Sequence, residues 1–455
     1  MRDIFFVLFM LFLFGLAFVR PYLATLCYIW VDLLQPQQQS YYLLNSAPIS
    51  MIAAIIAVLA YLIADQEKQV RINIVQILLL VMIVWITITT STAEMGDYAW
   101  FKWSAAWKAL GFAAFLPLVL RTRLQIETTL LVILFTICAL MFSGAFKTML
   151  GGGGYGHLSF LVQRNVGLFE ASTLATVAIG MIPLALYLYN YSTLFPKSKW
   201  TRLITIGICA SAILVVVGSE ARTGFLCIAA IALLEYRHVK RKLLIGSLAL
   251  AACIASIPFL PDSFTGRMNT IKTYDEDTSA STRVAMWQWT WDRTKSNPLG
   301  GGFGIWRASE IVYEVKSRSG DGGNSSEGSR KVKDGARGFH SSYFEILGEQ
   351  GWPGVLIFAG IFVGTLTQLS SVTRRVKGIP ELEWAAGCAR GLSHLVIVYL
   401  VGSVFTALAF QSTIYYAIAI SVSLINIVAW HLASLKSEAP LGKPKRVGTR
   451  AVSTP

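Results

Sequence analysis

Two stretches decide how this chain is read: Ser281-Thr-Arg-Val-Ala-Met-Trp-Gln-Trp-Thr-Trp-Asp292, running into Asn297-Pro-Leu-Gly-Gly-Gly-Phe-Gly304, and His340-Ser-Ser-Tyr-Phe-Glu-Ile-Leu-Gly-Glu-Gln-Gly351. Both lie in residues 258–351, the only long polar segment of the sequence, where most residues capable of chemistry are collected. On either side the chain is a succession of apolar runs.

Only 14% of the 455 residues are charged and 55% are hydrophobic, against roughly a quarter charged in soluble domains. That composition is a polytopic membrane protein. A membrane helix needs about 20 mostly apolar residues, and runs approaching this occur at about 4–19, 22–35, 49–64, 73–90, 104–120, 127–145, 170–190, 201–218, 222–235, 241–258, 352–370, 391–409 and 413–432. We therefore expect an all-α fold of about 11–13 transmembrane helices with one large external loop carrying short helices. The run ending at Val19 lacks a basic start beyond Arg2 and a small-residue cleavage site, so it reads as a first span and not a removed signal peptide.

The net charge of +14 would suggest nucleic acid in a soluble protein. Here residues 258–351 hold twelve Lys/Arg and twelve Asp/Glu, so the excess lies in short loops and the tail, and no nucleic-acid partner is expected. Basic residues (Arg20; Lys68 and Arg71; Arg121 and Arg123; Lys197, Lys199 and Arg202; Arg237 to Lys242; Arg374, Arg375, Lys377 and Arg390; the tail) recur at every second loop. Because cytoplasmic loops collect Lys and Arg, this alternation predicts a cytoplasmic C-terminus and an external 258–351 segment. The expected organisation is transmembrane helices over 1–257, a loop domain over 258–351, further transmembrane helices over 352–434 and a disordered cytoplasmic tail over 435–455.

All six cysteines fall within or beside apolar runs, which implies neither a disulfide framework nor a Cys-rich metal site. The acidic run Asp275-Glu-Asp277 reads as solvated, and too few histidines lie outside the membrane to build a zinc site. Gly151 to Gly154 lacks the Gly-Lys-Ser/Thr of a phosphate loop and reads as a hinge. No metal is expected.

Arg283, Trp287 and Trp291 are four residues apart, a spacing that lines them along one helix face. Such a helix suits the headgroup region, either as an anchor whose Arg meets lipid phosphate or as part of a site. Gly300 to Gly304 predicts a tight connection, and residues 317–338, rich in Gly, Ser and charge, a mobile stretch. His340 opens a second helical pattern with Phe344 and Leu347 on its face, ended by Gly351-Trp-Pro-Gly354. An imidazole there titrates near pH 6.5 when unperturbed and can transfer a proton. Arg222 starts an apolar run after the tight turn Gly218-Ser-Glu-Ala-Arg222. A guanidinium in hydrocarbon costs about 2.5–3.5 kcal/mol, so it faces Glu220, headgroups or a ligand. Arg164 lies in Gln163-Arg-Asn-Val-Gly167, beside another span. On the expected topology these three arginines and His340 share one membrane face. That set suits a lipid pyrophosphate, because Arg pairs bidentately with phosphate oxygens and a neutral histidine accepts a proton from an attacking hydroxyl.

These residues resemble the O-antigen ligase/polymerase family of bacterial envelope glycosyltransferases over roughly residues 160–430. Ser219-Glu-Ala-Arg222 with Gly224 and Leu226 resembles its Ser/Arg signature, and Arg283…Trp287 leading to Pro298-Leu-Gly-Gly-Gly-Phe-Gly304 its Arg-Trp-Pro-Gly-x-Gly pattern. His340-Ser-Ser…Glu349-Gln-Gly351-Trp-Pro-Gly354 resembles its His-Asn/Ser…Glu-x-Gly…Gly element. Trp30, Asp32 and Gln35-Pro36 are similar to the exosortase-associated O-glycosylation ligase subgroup. Ser341 and Ser172-Thr173 stand where relatives often have Asn, and 317–338 has no counterpart in the pattern.

The resemblance implies a GT-C-like enzyme of the bacterial inner membrane. It would transfer a glycan from undecaprenyl pyrophosphate to a hydroxyl of a glycan, lipid or protein acceptor at the periplasmic face, with inversion and without metal or cofactor. Arg222 and Arg283, assisted by Arg164, would bind the donor pyrophosphate, and His340 would orient or deprotonate the acceptor. A polymerase with the same donor chemistry is the alternative. A transporter is a more distant one, because its charges should sit near the bilayer midplane.

Overall fold

The computed structural model describes residues 2–39, 47–64, 71–151, 168, 170–237, 278–319 and 326–438. Arg164, the span expected over 241–258, the acidic run at 275–277, Gly152 to Gly154 and the tail beyond Glu438 lie outside the described residues.

In chain order the helices are α1 (Arg2–Val19), α2 (Pro21–Leu34), α3 (Pro36–Gln39), α4 (Ile49–Ala64), α5 (Ile74–Ser91), α6 (Gly96–Val119), α7 (Arg123–Gly151), α8 (Ala171–Tyr191), α9 (Lys199–Ser219), α10 (Arg222–Tyr236) and α11 (Thr278–Ser296). A two-stranded hairpin follows, β1 (Glu310–Ser319) and β2 (Ser326–Gly335), then α12 (Ser342–Arg375), α13 (Glu383–Gly402) and α14 (Ser412–Glu438). Among the described residues α5, α7, α8, α9, α12, α13 and α14 are long and apolar enough to cross a membrane, and residues 3–16, 21–34 and 49–63 form shorter apolar helices. The chain is an all-α polytopic membrane protein.

Three expectations change in detail. The run at 104–120 belongs to a helix that starts at Gly96 and carries Asp97, Lys102 and Lys108, so it is more charged than an ordinary span. The run at 391–409 is divided: α13 ends at Gly402 and 403–411 is irregular. Glu310–Ser319 and Ser326–Gly335 pair as antiparallel strands, Glu310 with Gly335 and Ser319 with Ser326, where only short helices and a mobile stretch were expected. Ile311 and Tyr313 are buried while Val312 is exposed, the alternation of a half-buried strand. The return strand, Ser-Glu-Gly-Ser-Arg-Lys-Val-Lys-Asp-Gly, has a single apolar residue and gives no such signal.

Several sequence neighbours joined by short connections pack against one another as antiparallel pairs, as in α5 with α6, α8 with α9 and α12 with α13. Their connections therefore alternate between two ends of the bundle. The turns 92–95 and 220–221 and the loop 403–411 lie at one end; 120–122, 192–198 and 376–382 lie at the other. α8 is the most enclosed of the crossing helices, with 83% of its span buried. Gly387 and Gly391 of α13 let it approach closely: side-chain carbons added there would meet the Tyr191 ring at 2.6 Å and Pro183 O at 3.2 Å. Small residues at such crossings let backbones approach closely and pack well. Polar locks fix the registers. Asn73 caps α5 and exchanges hydrogen bonds with Gln368 of α12 at 2.7 and 3.1 Å, while Gln76 donates to Ala114 O at 2.9 Å. Glu127 accepts from Arg123 at 2.7 Å and from Thr193 N at 2.9 Å, joining α7 to the α8–α9 turn.

α12 is two helices meeting at Gly351, whose φ of 64° and ψ of −168° break the ladder where the sequence predicts an end. This conformation is open essentially to glycine alone. A Cβ there would lie 2.3 Å from Pro298 O, the same carbonyl that accepts from Trp352 N at 2.9 Å. Gly351→Ala should thus cost on the order of 1–3 kcal/mol from backbone conformation alone, before the clash. Thermal unfolding in detergent should show a midpoint lowered by several degrees, and an unchanged midpoint would contradict the strained contact.

Candidate active site at one end of the bundle

Residues 278–319 and 326–341 sit on the end that carries the 92–95, 220–221 and 403–411 connections. α11 buries Met286, Thr290 and Thr294; Met286 joins Ile305, Ile311, Tyr313 and Phe339 in a small core of its own. On the neighbouring face, Trp287 donates its indole N–H to Phe339 O at 2.8 Å and stacks on Phe344 at 5.1 Å with rings 4° from parallel. Trp291 contacts Trp352 and stays 47% exposed. The Arg283–Trp287–Trp291 stripe is thus helical as read, but only Trp291 keeps the exposure of a surface anchor. Trp287 holds the segment leading into His340.

His340 lies just outside the helix it was expected to open. Its φ is 48°, Ser341 is the N-cap residue, and α12 begins at Ser342. The 403–411 loop grips this turn. Ser342 N donates to Ser403 O at 2.9 Å, Ser342 Oγ donates to Thr406 O at 2.9 Å, and Leu408 N donates to Ser342 Oγ at 2.8 Å. The imidazole stays solvent-accessible, yet the protein around it removes enough water to lower its pKa, and the cations of Arg283 and then Arg337 lower it further. It therefore remains neutral to a lower pH than an unperturbed histidine. Arg337 is itself paired with Asp334, 2.7 Å from Nε.

Arg222 is half-buried at the first residue of α10, after a turn in which Glu220 takes a left-handed φ of 52°. Gly224, one turn on, packs so tightly that a Cβ would meet Val216 at 2.6 Å. Cys227 Sγ lies 3.7 Å from Val398 O and 3.9 Å from Thr176 Oγ1, and a Cβ on Gly402 would meet that threonine. These contacts seat the start of α10 beside the end of α13, from which the loop gripping Ser341 and Ser342 departs. The structure thus brings Arg283 and His340 together and sets Arg222 at the same end.

Reading the sequence missed four charged residues here. Lys102 lies 3.3 Å from Glu345 Oε1 and 3.5 Å from Glu349 Oε1. Glu349 Oε1 also accepts from Gly304 N at 2.9 Å, and Glu345 Oε2 from Ala409 N at 3.2 Å. Arg337 stands beside His340. The signals were a lysine in the aromatic stretch Trp100-Phe-Lys-Trp103 and two glutamates at i and i+4 on one helix face; Arg337 had none, because its hairpin was read as mobile.

Residues 207–359, which include Arg222, Arg283 and His340, match the O-antigen ligase family. The similarity is confined to this segment, about a third of the chain. Residues 1–193 match a family of unknown function, DUF5935, and no curated protein matches the chain. With the membrane-crossing helices, this match supports a membrane glycosyltransferase of the O-antigen ligase/polymerase type. Both Arg337 and His340 lie inside the matched segment.

Because the Arg337 cation disfavours the imidazolium, Arg337→Gln should raise the His340 pKa toward its ordinary value. The titration can be followed by the imidazole carbon shift of labelled protein; a pKa that stays or falls would contradict the electrostatic contact.

Proposed function

We propose that the chain is a ligase that transfers a glycan from undecaprenyl pyrophosphate to an acceptor hydroxyl at the periplasmic face of the bacterial inner membrane. What supports this reading is that Arg283 lies close enough to His340 for its charge to lower the imidazole pKa, at one end of the bundle and inside the matched segment. In the reaction the acceptor oxygen attacks the anomeric carbon as the bond to the pyrophosphate oxygen breaks. The hydroxyl proton passes to the imidazole, and Arg283 and Arg222 take up the negative charge gathering on the leaving pyrophosphate. Displacement on the face opposite the leaving group inverts the sugar carbon. Guanidinium groups meet this charge need, so the chemistry requires no metal. Arg164 is assigned to the donor on the family pattern alone.

The distribution of charge supports the orientation. Arg121, Arg123, Lys197, Lys199, Arg202, Arg374, Arg375 and Lys377 surround the connections at the end opposite His340, which by the positive-inside rule is cytoplasmic. α14 runs from the His340 end toward that side, giving a cytoplasmic C-terminus.

Purified protein in liposomes, supplied with a glycan on undecaprenyl pyrophosphate, tests the reading. His340→Ala should lower transfer by about 10²–10⁴-fold, the usual contribution of a general base. Arg283→Lys should lose most activity although it keeps the charge, because the planar two-pronged contact is lost. EDTA should leave the rate unchanged. Wild-type rates in both variants would remove the proposed site, and a loss in EDTA reversed by a divalent cation would overturn the metal-free mechanism.

A further inference from the structure

A charged cluster at the His340 end of the bundle is supplied from two regions of the chain. Glu345 and Glu349 are one turn apart on the first part of α12, both buried, and Glu349 is fully enclosed. Each fixes a different piece of irregular backbone: Glu349 holds the glycine turn through Gly304 N at 2.9 Å, and Glu345 holds the 403–411 loop through Ala409 N at 3.2 Å. Two ionised carboxylates so close and so dry repel one another and lose their hydration, unless a cation compensates. Among the described residues the cation in ion-pair contact with both is Lys102, at 3.3 and 3.5 Å.

Lys102 comes from α6, inside the segment that matches the family of unknown function. It is not alone there. Trp85 Nε1 donates to Gln350 O at 2.8 Å and Thr89 Oγ1 to Gln350 Oε1 at 2.5 Å. A Cβ on Gly302 would fall 2.3 Å from Ala93 Cβ, and one on Gly304 would fall 2.3 Å from the Tyr98 ring, over which Arg307 sits at 3.8 Å. Residues 85–102 thus form a continuous seat beneath the glycine turn and the helix that follows His340.

We propose that Lys102 is a positioning residue for the transfer site, and that the α5–α6 corner of the N-terminal region serves as the seat on which that site is assembled. By neutralising Glu345 and Glu349, Lys102 lets one helical face hold the glycine turn and the 403–411 loop together. That loop in turn fixes Ser341 and Ser342, and so the imidazole of His340. A displacement of about 1 Å at a reacting group costs on the order of a hundredfold in rate, so a loosened seat is read in turnover.

The test is a charge-rescue cycle. Lys102→Met should lower kcat by about a hundredfold with a smaller change in the donor KM, Lys102→Arg should keep most activity, and Lys102→Met combined with Glu349→Gln should recover at least about tenfold over Lys102→Met. Wild-type kcat in Lys102→Met would overturn the proposal. So would losses that simply multiply in the double variant, or a raised donor KM without rescue, which would mark a direct phosphate ligand. The kinetic arm rests on the transfer reading; hydrogen exchange does not. Lys102→Met should speed exchange at the amides of Gly301, Gly302, Gly304 and Ala409, and unchanged protection would overturn the proposal even if no donor is turned over. If Lys102→Met does not fold, recovery of folded protein in the double variant supports the charge role, and an unfolded double variant refutes it.

Discussion

In hydrocarbon no water is available to a peptide group, so a backbone that leaves the helix must find protein partners or move to the membrane boundary. That constraint sorts this chain. The described helices carry the apolar sequence, and the glycine turn, the hairpin and the 403–411 loop gather at the bundle end that holds His340. Even there the irregular backbone is satisfied by protein: Gly301 N donates to Gly348 O at 3.0 Å, Gly302 N to Glu349 O at 2.9 Å and Ser342 N to Ser403 O at 2.9 Å. The site is therefore a junction of helix ends stitched by backbone hydrogen bonds, which places side chains more rigidly than a solvated loop would.

Glycine makes that stitching possible. Gly300 and Gly351 face each other so closely that a Cβ on Gly300 would lie 2.5 Å from Gly351 N, and both have positive φ, 88° and 64°. The glycine turn therefore lies directly against the break in α12. The break redirects the chain from the largely buried helix that starts beside His340 into the apolar helix that continues to Arg375. One pair of glycines thus couples the direction of a membrane helix to the position of the turn that Glu349 holds.

Elements written as local pattern were legible in the sequence: the α11 stripe from its four-residue spacing, the break at Gly351 from Gly-Trp-Pro-Gly, the turn before Arg222 from Gly-Ser-Glu-Ala. What stayed hidden depends on distant partners. Ser326 to Gly335 has no strand pattern of its own and pairs because Glu310 to Ser319 is there to receive it. Lys102 stands outside the apolar runs at 73–90 and 104–120, and its meaning lies in Glu345 and Glu349, more than two hundred residues away. The 403–411 loop was hidden in an apolar run, since Val404, Phe405, Leu408 and Ala409 read as membrane although the backbone N–H groups of Leu408 and Ala409 bind Ser342 and Glu345. Composition shows which residues avoid water, and not whether lipid or protein replaces it.

The two family matches meet between residues 193 and 207, but the packing does not divide there. α8, from the first segment, is the most enclosed crossing helix and touches α9, α10 and α13. One core contains Leu79, Leu110 and Leu174 from the first match, Val215, Cys227 and Ile346 from the second, and Leu392 and Tyr415 from beyond it. A module that folded alone and merely tethered the ligase segment would bury its own apolar surface and meet its neighbour through a wet, polar contact. Here the contact is the core itself, with a charged cluster closed across it. The N-terminal region is thus part of the body of the enzyme, and any account of how His340 and its arginines are held must include it.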